Sequence, residues 1–192
     1  MEENRDVLRG AALSRRNSLS QANCHLWSDS IQAKALKLPQ YLAARSVALY
    51  SPVHNEVDTE AILENALAAG KQVYFPRLNR GDRAEFVQVF SRADLFVRRF
   101  GIAEPAGTNV LSLEDSAGLS VFIPGVLFDR RGHRLGRGGG WYDRALAQFG
   151  NRGVFIGLAY EIQIVESVPV ESWDQKVHYV ITENRVIDCA SM

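Results

Sequence analysis

The chain has 192 residues with 22 basic and 22 acidic side chains and no net charge, which excludes a protein built to coat nucleic acid or an anionic membrane. That length fits one domain, residues 1–192, with a core of its own. Cys24 and Cys189 have no disulfide or metal-ligand spacing, no apolar run reaches the ~18 residues of a membrane span, and the start Met-Glu-Glu-Asn-Arg lacks a signal-peptide core, so reduced thiols and a cytoplasmic location are expected.

In chain order, Val7, Leu8, Ala11, Ala12 and Leu19 read as the apolar stripe of a first helix, with Arg5, Arg9, Arg15 and Arg16 mostly off it. Ser20 can cap a second helix whose buried face runs through Leu26, Trp27, Ile31, Ala35 and Leu38, with Pro39 as its stop. Ser46-Val-Ala-Leu-Tyr50 is a short strand. A loop, Ser51-Pro-Val-His-Asn-Glu-Val57, leaves its carboxyl end. Asp58 or Thr59 caps a helix through Ile62, Leu63 and Leu67 that ends at Gly70. Gln72-Val-Tyr-Phe75 is the next strand, closed by Pro76. This is the length of a parallel β-loop-α-β crossover. Glu85-Phe-Val-Gln-Val-Phe90 alternates polar and apolar residues and predicts a less buried strand. Residues 100–115 read as irregular, broken by Gly101, Pro105 and Gly107.

Leu119-Ser-Val-Phe-Ile123 predicts a buried strand stopped by Pro124-Gly125. A loop over 126–139, a helix over 140–149 and the strand Val154-Phe-Ile-Gly-Leu158 close a second crossover unit. Val177-His-Tyr-Val-Ile181 and Arg185-Val-Ile187 flank Glu183-Asn184 as a terminal hairpin. The alternation predicts an α/β fold: a three-layer, open, mostly parallel, Rossmann-like sheet with helices on both faces. Ligands of such sheets sit beyond the carboxyl ends of strands. Glu56 and the segment after Gly125 both follow strand ends, so one shared site is expected.

The chemically richest segment is Arg134-Leu-Gly-Arg-Gly-Gly-Gly-Trp-Tyr-Asp-Arg144, with four glycines, three arginines and one carboxylate. Glycines let backbone N–H groups converge on an anion, arginines add forked donors for phosphate oxygens, and a helix start favours negative charge. Arg130, Arg131, Arg134, Arg137 and Arg144 concentrate positive charge there on an otherwise neutral chain. The segment predicts a phosphate-binding loop for a nucleotide. It is not a Walker A loop, since residues 125–150 contain no lysine. It is not the dinucleotide fingerprint either, since Trp141 stands where a glycine is required. No protein-kinase motif is present.

Magnesium bound with a nucleotide takes one or two carboxylates, and Asp143 and Asp174 are the candidates. Glu56, on a strand-end loop, is a candidate substrate contact, with His54 beside it. The histidines, His25, His54, His133 and His178, have no zinc spacing, and no covalent-nucleophile motif occurs, so catalysis by positioning and electrostatics is expected.

Taken together, these segments resemble the 5-formyltetrahydrofolate cyclo-ligase family. The likeness runs through Arg-Arg-Asn-Ser-Leu-Ser20, Tyr50-Ser-Pro-Val-His-Asn-Glu-Val-Asp-Thr59, Phe75-Pro-Arg77, Gly101-Ile-Ala-Glu-Pro105, Ile123-Pro-Gly-Val-Leu-Phe-Asp129, the glycine loop, Gln163 and Trp173-Asp174. The resemblance implies ATP- and Mg2+-dependent closure of 5-formyltetrahydrofolate to 5,10-methenyltetrahydrofolate. It implies an ATP site made of Arg5, Arg9, Arg134, Leu135, Gly136, Arg137, Gly138, Gly139, Gly140, Trp141 and Tyr142. It further implies folate contacts at Ser51, Glu56 and 137–141, Arg137 and Tyr142 as catalytic residues, and Asp143 and Asp174 as magnesium ligands. A monomer acting on a small molecule, with no nucleic-acid or membrane partner, is expected. Departures from the family pattern are Arg5 in place of a frequent lysine, Arg137 and Trp141 in place of frequent tyrosines, and His178 in place of a common aspartate. A non-enzymatic nucleotide- or folate-binding module and a sugar-phosphate isomerase are the alternatives; the second lacks clearly paired acid and base residues.

Overall fold

The computed structural model describes residues 4–78, 84–98 and 101–190. Residues 1–3 and Phe100, both used in the sequence reading, lie outside them. The main sheet has seven strands: β1 (Ser46–Ala48), β2 (Gln72–Leu78), β3 (Ala84–Val89), β6 (Leu119–Pro124), β9 (Gly153–Leu158), β11 (Tyr179–Ile181) and β12 (Val186–Asp188), in the order β12-β11-β9-β6-β1-β2-β3. The five inner strands are parallel, and β3 and β12 add antiparallel edges. Both expected crossover units therefore form, from β1 to β2 and from β6 to β9, as does the terminal hairpin.

Helices α2 (Gln21–Ala35), α3 (Pro39–Ala43) and α4 (Glu60–Ala68) cover one face. Ile31, Tyr41 and Ile62 pack there against Val47, Leu49, Phe122 and Ile156. Helix α5 (Trp141–Phe149) covers the other, with Ala145, Leu146 and Phe149 against Val121, Ile123 and Phe155. Each fully buried side chain of this size contributes roughly 1.5–3 kcal/mol. Ser20 caps α2 through its hydroxyl, which accepts from Asn23 N. Asp58 rather than Thr59 serves the start of α4: its Oδ1 accepts from Thr59 N and Glu60 N. The Thr59 hydroxyl instead donates to Tyr50 O.

Several expectations are corrected. Helix α2 ends at Ala35, and Pro39 opens α3 as its first residue, where its missing N–H costs nothing. Leu26 is exposed rather than buried. Pro76 lies inside β2: β1 pairs only through Tyr74, so Pro76 has β3 on one side alone and disturbs no second ladder. Residues 101–115 contain β5 (Ala103–Pro105), paired antiparallel with β4 (Leu95–Val97). The 126–139 segment is not a plain loop. It holds β7 (Leu127–Asp129) and β8 (Arg134–Leu135), a hairpin that β10 (Ile164–Val165) extends. Asp129, fully buried, fastens its turn by accepting from Arg131 N, His133 N, the His133 ring and Val168 N.

The largest correction concerns α1 (Arg5–Asn17). Val7 and Ala11 are exposed; the helix docks through Leu8 and Ala12 onto Val126, Leu127 and Leu135 at this hairpin and onto Val168, while Arg16 reaches Gly125 O. Arg5, Arg9, Ala12 and Arg16 follow the 3.6-residue period, so the arginines share the inward face. Apolar periodicity missed them because this face meets polar strand ends rather than the sheet's core.

Candidate functional site

A cavity of about 780 Å³ opens at the carboxyl ends of β1 and β6. Its wall is built from α1, the loop after β1, the segment running from β8 into α5, and residues 171–174. Of the residues expected to bind ATP, folate or magnesium, all but Leu135 line this cavity. Leu135 is fully buried beneath it, against Ala12 and Val126. A second cavity of about 540 Å³ adjoins the first and shares Ser51, Val53, His54 and Glu56 with it.

The glycine segment forms one wall. Gly138 has φ +100° and Gly140 φ +61°, conformations that side chains rarely adopt, and Gly140 is the N-cap of α5. A Cβ on Gly136 would stand 2.8 Å from Arg134 Nη1, so a side chain there would have to push aside a buried guanidinium that is paired with Asp143. Arg9 Nε donates to Gly136 O at 2.9 Å, and Arg144 Nη1 donates to Gly139 O at 3.0 Å. Arg9 also pairs with Asp6. Arg134 is buried, and its guanidinium carbon lies 5.7 Å from the Tyr142 ring centre. Trp141 is wedged edge-on against Phe86 and Tyr142. Arg134 Nε and Trp141 Nε1 are buried with no acceptor among the described residues.

Burial, then the charge of Glu56, pushes the Tyr142 phenol well above its usual range, with Arg134 acting the other way. Tyr142 thus stays protonated at neutral pH and can donate a hydrogen bond but not act as a base.

At the other end of the cavity, Glu56 is almost fully buried within a cationic grip. Its Oε1 lies 3.5 Å from Arg16 Nη2 and 3.3 and 3.2 Å from Arg137 Nε and Nη2, while Oε2 accepts from Val53 N at 3.1 Å. Arg16 Nη1 donates to Gly125 O at 3.0 Å. Burial depresses the Arg16 pKa, and Glu56 opposes that shift. The loop before Glu56 turns through His54 and Asn55, both at positive φ. Asn55 Nδ2 pins this turn to Arg16 O and Leu19 O at the end of α1. The Ser51 hydroxyl donates to Ala103 O.

Asp143 and Asp174 meet through the backbone. Gln175 N donates to Asp143 Oδ1 at 3.1 Å, and the same oxygen accepts from Arg134 Nη2 at 2.8 Å. Asp174 Oδ2 accepts from Arg5 Nη1 at 2.9 Å and from Glu171 N at 2.9 Å. Each carboxylate keeps its second oxygen without a hydrogen bond among the described residues. No group of three His, Cys, Asp or Glu side chains placed to hold a metal occurs among those residues. His178 stands away from this pair's bonds: its Nδ1 accepts from Phe155 N at 2.9 Å.

Sequence reasoning missed the buried Arg16 as a partner of Glu56. Gln163, named there only as part of the likeness, has an amide that donates to Gly125 O and Val126 O at the strand end. The i, i+4, i+7, i+11 arrangement of Arg5, Arg9, Ala12 and Arg16 was the available signal.

A family model described as the 5-formyltetrahydrofolate cyclo-ligase family matches residues 1–183. The chain is 35% identical over 164 residues to the 5-formyltetrahydrofolate cyclo-ligase of Haemophilus influenzae, covering 83% of this chain and 87% of that one. It is 32% identical over 176 residues to the corresponding protein of Escherichia coli, covering 90% and 96%. Its fold matches the NMR structure of Aquifex aeolicus 5,10-methenyltetrahydrofolate synthetase with a TM-score of 0.83 and 33% identity, covering 97% and 93%. A 5,10-methenyltetrahydrofolate synthetase structure from Mycoplasma pneumoniae matches with a TM-score of 0.76 at 23% identity, a likeness of fold alone. With a glycine–arginine cradle and a buried carboxylate facing one cavity, and with these matches spanning nearly its whole length, the chain belongs to the 5-formyltetrahydrofolate cyclo-ligase family.

Proposed function

We propose that the protein closes 5-formyltetrahydrofolate to 5,10-methenyltetrahydrofolate at the expense of ATP, with Mg2+. The carrying observation is one cavity with a phosphate-type cradle at Gly136 to Gly140 and a buried acceptor, Glu56, at its other end. The formyl oxygen takes the terminal phosphoryl group and ADP leaves. N10 then attacks the formyl carbon and loses its proton, and phosphate departs with the C–O electron pair.

The residues fit a triphosphate. Arg5, Arg9 and Arg134 supply fixed positive charge, the loop supplies N–H groups at a helix start, and the buried Arg134 Nε and Trp141 Nε1 lack acceptors within the described protein. Asp143 and Asp174 fit Mg2+ through their second oxygens; when bound, the ion would neutralise charge on the phosphates. Glu56 would accept N–H donors of the reduced pterin, a chemistry open to a carboxylate but not to an amide nitrogen. Tyr142, held protonated, would donate to the developing negative charge, and Arg137 would add its charge there. The packed rings of Trp141 and Phe86 would limit water at the reacting atoms.

The test is direct. Purified protein with Mg-ATP and 5-formyltetrahydrofolate should give the near-ultraviolet absorbance of the methenyl product with ADP released in equal amount. Tight binding of both ligands without ADP release would point instead to a binding module.

A further inference from the structure

Glu56 has its hydrogen-bonding capacity nearly filled before any ligand arrives. Arg16 Nη2 and both Arg137 nitrogens converge on Oε1, and Val53 N occupies Oε2. A pterin donor pair that reaches both oxygens finds one lone pair open on Oε2 but three donors already on Oε1, so one of the Oε1 partners must leave. The two arginines are not equivalent. Arg16 is 2% exposed, and its Nη1 is committed to Gly125 O. Arg137 is 43% exposed and sits between two glycines, with Gly138 at φ +100°. Its contact is also poor for a guanidinium. Both nitrogens aim at one oxygen at 3.2–3.3 Å, whereas a well-formed fork meets two oxygens at about 2.7–2.9 Å.

We propose that the Arg137–Glu56 ion pair is a latch: folate displaces Arg137 from Glu56, and the freed guanidinium, already part of the glycine loop, turns to the nucleotide's phosphates. The proposal rests on the folate and ATP reading above. It makes Arg137 the link between the two ends of the cavity, so each substrate strengthens binding of the other, as reciprocity requires. Folate occupancy assembles the full set of phosphate donors, and nucleotide bound alone finds that set one arginine short.

Titration calorimetry with 5-formyltetrahydrofolate and a Mg2+ complex of a non-hydrolysable ATP analogue, singly and together, tests this. In the unaltered protein, saturating folate should tighten analogue binding about tenfold, and the converse should hold equally. In Arg137→Ala, analogue affinity without folate should stay within about twofold, because Arg137 is then on Glu56, and folate affinity without nucleotide should be equal or higher. The mutual tightening should vanish. Arg137→Gln, which keeps length and polarity, should behave as Arg137→Ala, and matching thermal midpoints verify folding. Mutual tightening that persists in both variants would overturn the latch, as would loss of analogue affinity in the absence of folate, which means Arg137 was on the phosphates already. An unaltered protein that is active yet shows no coupling sinks the latch alone, whereas inactivity sinks the functional reading beneath it.

Discussion

Arg16 Nη2 lies 3.5 Å from Glu56 Oε1, and both side chains are more than nine-tenths buried. The pair ties the first helix to the loop after the first strand. Removing one member of a buried pair costs about 3–5 kcal/mol where the other charge is left uncompensated, and with Arg137 still facing Glu56 the low end applies. Arg16→Met should therefore destabilise by about 3 kcal/mol, a drop of roughly 6–12 °C in thermal midpoint for a chain this size. Thermal denaturation checks this, and a change below about 2 °C would mean the pair contributes little.

Glu56→Gln keeps one acceptor oxygen but loses the charge that Arg16 and Arg137 face. We expect KM for the folate to rise by at least about tenfold and KM for ATP by about threefold or less, since a lost charged hydrogen bond is worth about 1.5–3 kcal/mol. Steady-state kinetics in both substrates decide it. Equal losses would assign Glu56 to the fold rather than to the substrate.

Asp143→Asn can still accept from Gln175 N and Arg134 through its amide oxygen, so the fold should hold. The magnesium concentration for half-maximal activity should rise by about 10- to 100-fold, the scale seen when metal-site groups are altered. An unchanged magnesium titration removes Asp143 from the site.

The glycine loop gives an internally controlled series. Gly136→Ala places a methyl 2.8 Å from the buried Arg134, and Gly138→Ala strains a backbone at φ +100°. Gly139 has no atom within 4 Å of an added Cβ. We expect turnover to fall at least about tenfold for the first two, with a stability cost near 1 kcal/mol for strain at Gly138. Gly139→Ala should leave the thermal midpoint unchanged, so any activity it loses reports a ligand passing over that spot.

His178 gives a pH prediction. Burial lowers its pKa below the ordinary 6.5, and Nδ1, which accepts from Phe155 N, would lose that bond on taking a proton. The unfolded chain therefore takes up the proton first. The contribution to stability is complete above pH 6.5 and is lost progressively as pH falls through 6.5 toward the folded-state value. His178→Asn, whose amide oxygen can still accept from Phe155 N, should show a shallower fall in thermal midpoint between pH 7 and 5. Equal slopes would place the pH sensitivity elsewhere.

The inner strands and both crossovers were legible because they are apolar runs bounded by Pro and Gly, as at Leu119 to Pro124. The glycine cradle was legible because its chemistry is concentrated in one segment. What escaped was set by distant partners. The β7–β8 hairpin has two- and three-residue strands, too short for periodicity, and depends on a buried Asp129 reaching Val168. Arg16 looked like surface charge because its neighbours are a carbonyl and a carboxylate supplied by residues 125 and 56. Leu135, read as part of the ATP site, has its side chain in the core under α1.

The first helix also carries a consequence for synthesis. Its arginines find their partners 109, 127 and 169 residues downstream, at Gly125, Gly136 and Asp174. At about 5–20 residues per second, a nascent chain holds this basic helix without those partners for on the order of ten seconds. The helix is made before the groups it docks on, and this side of the cavity is complete only after Asp174 has been added.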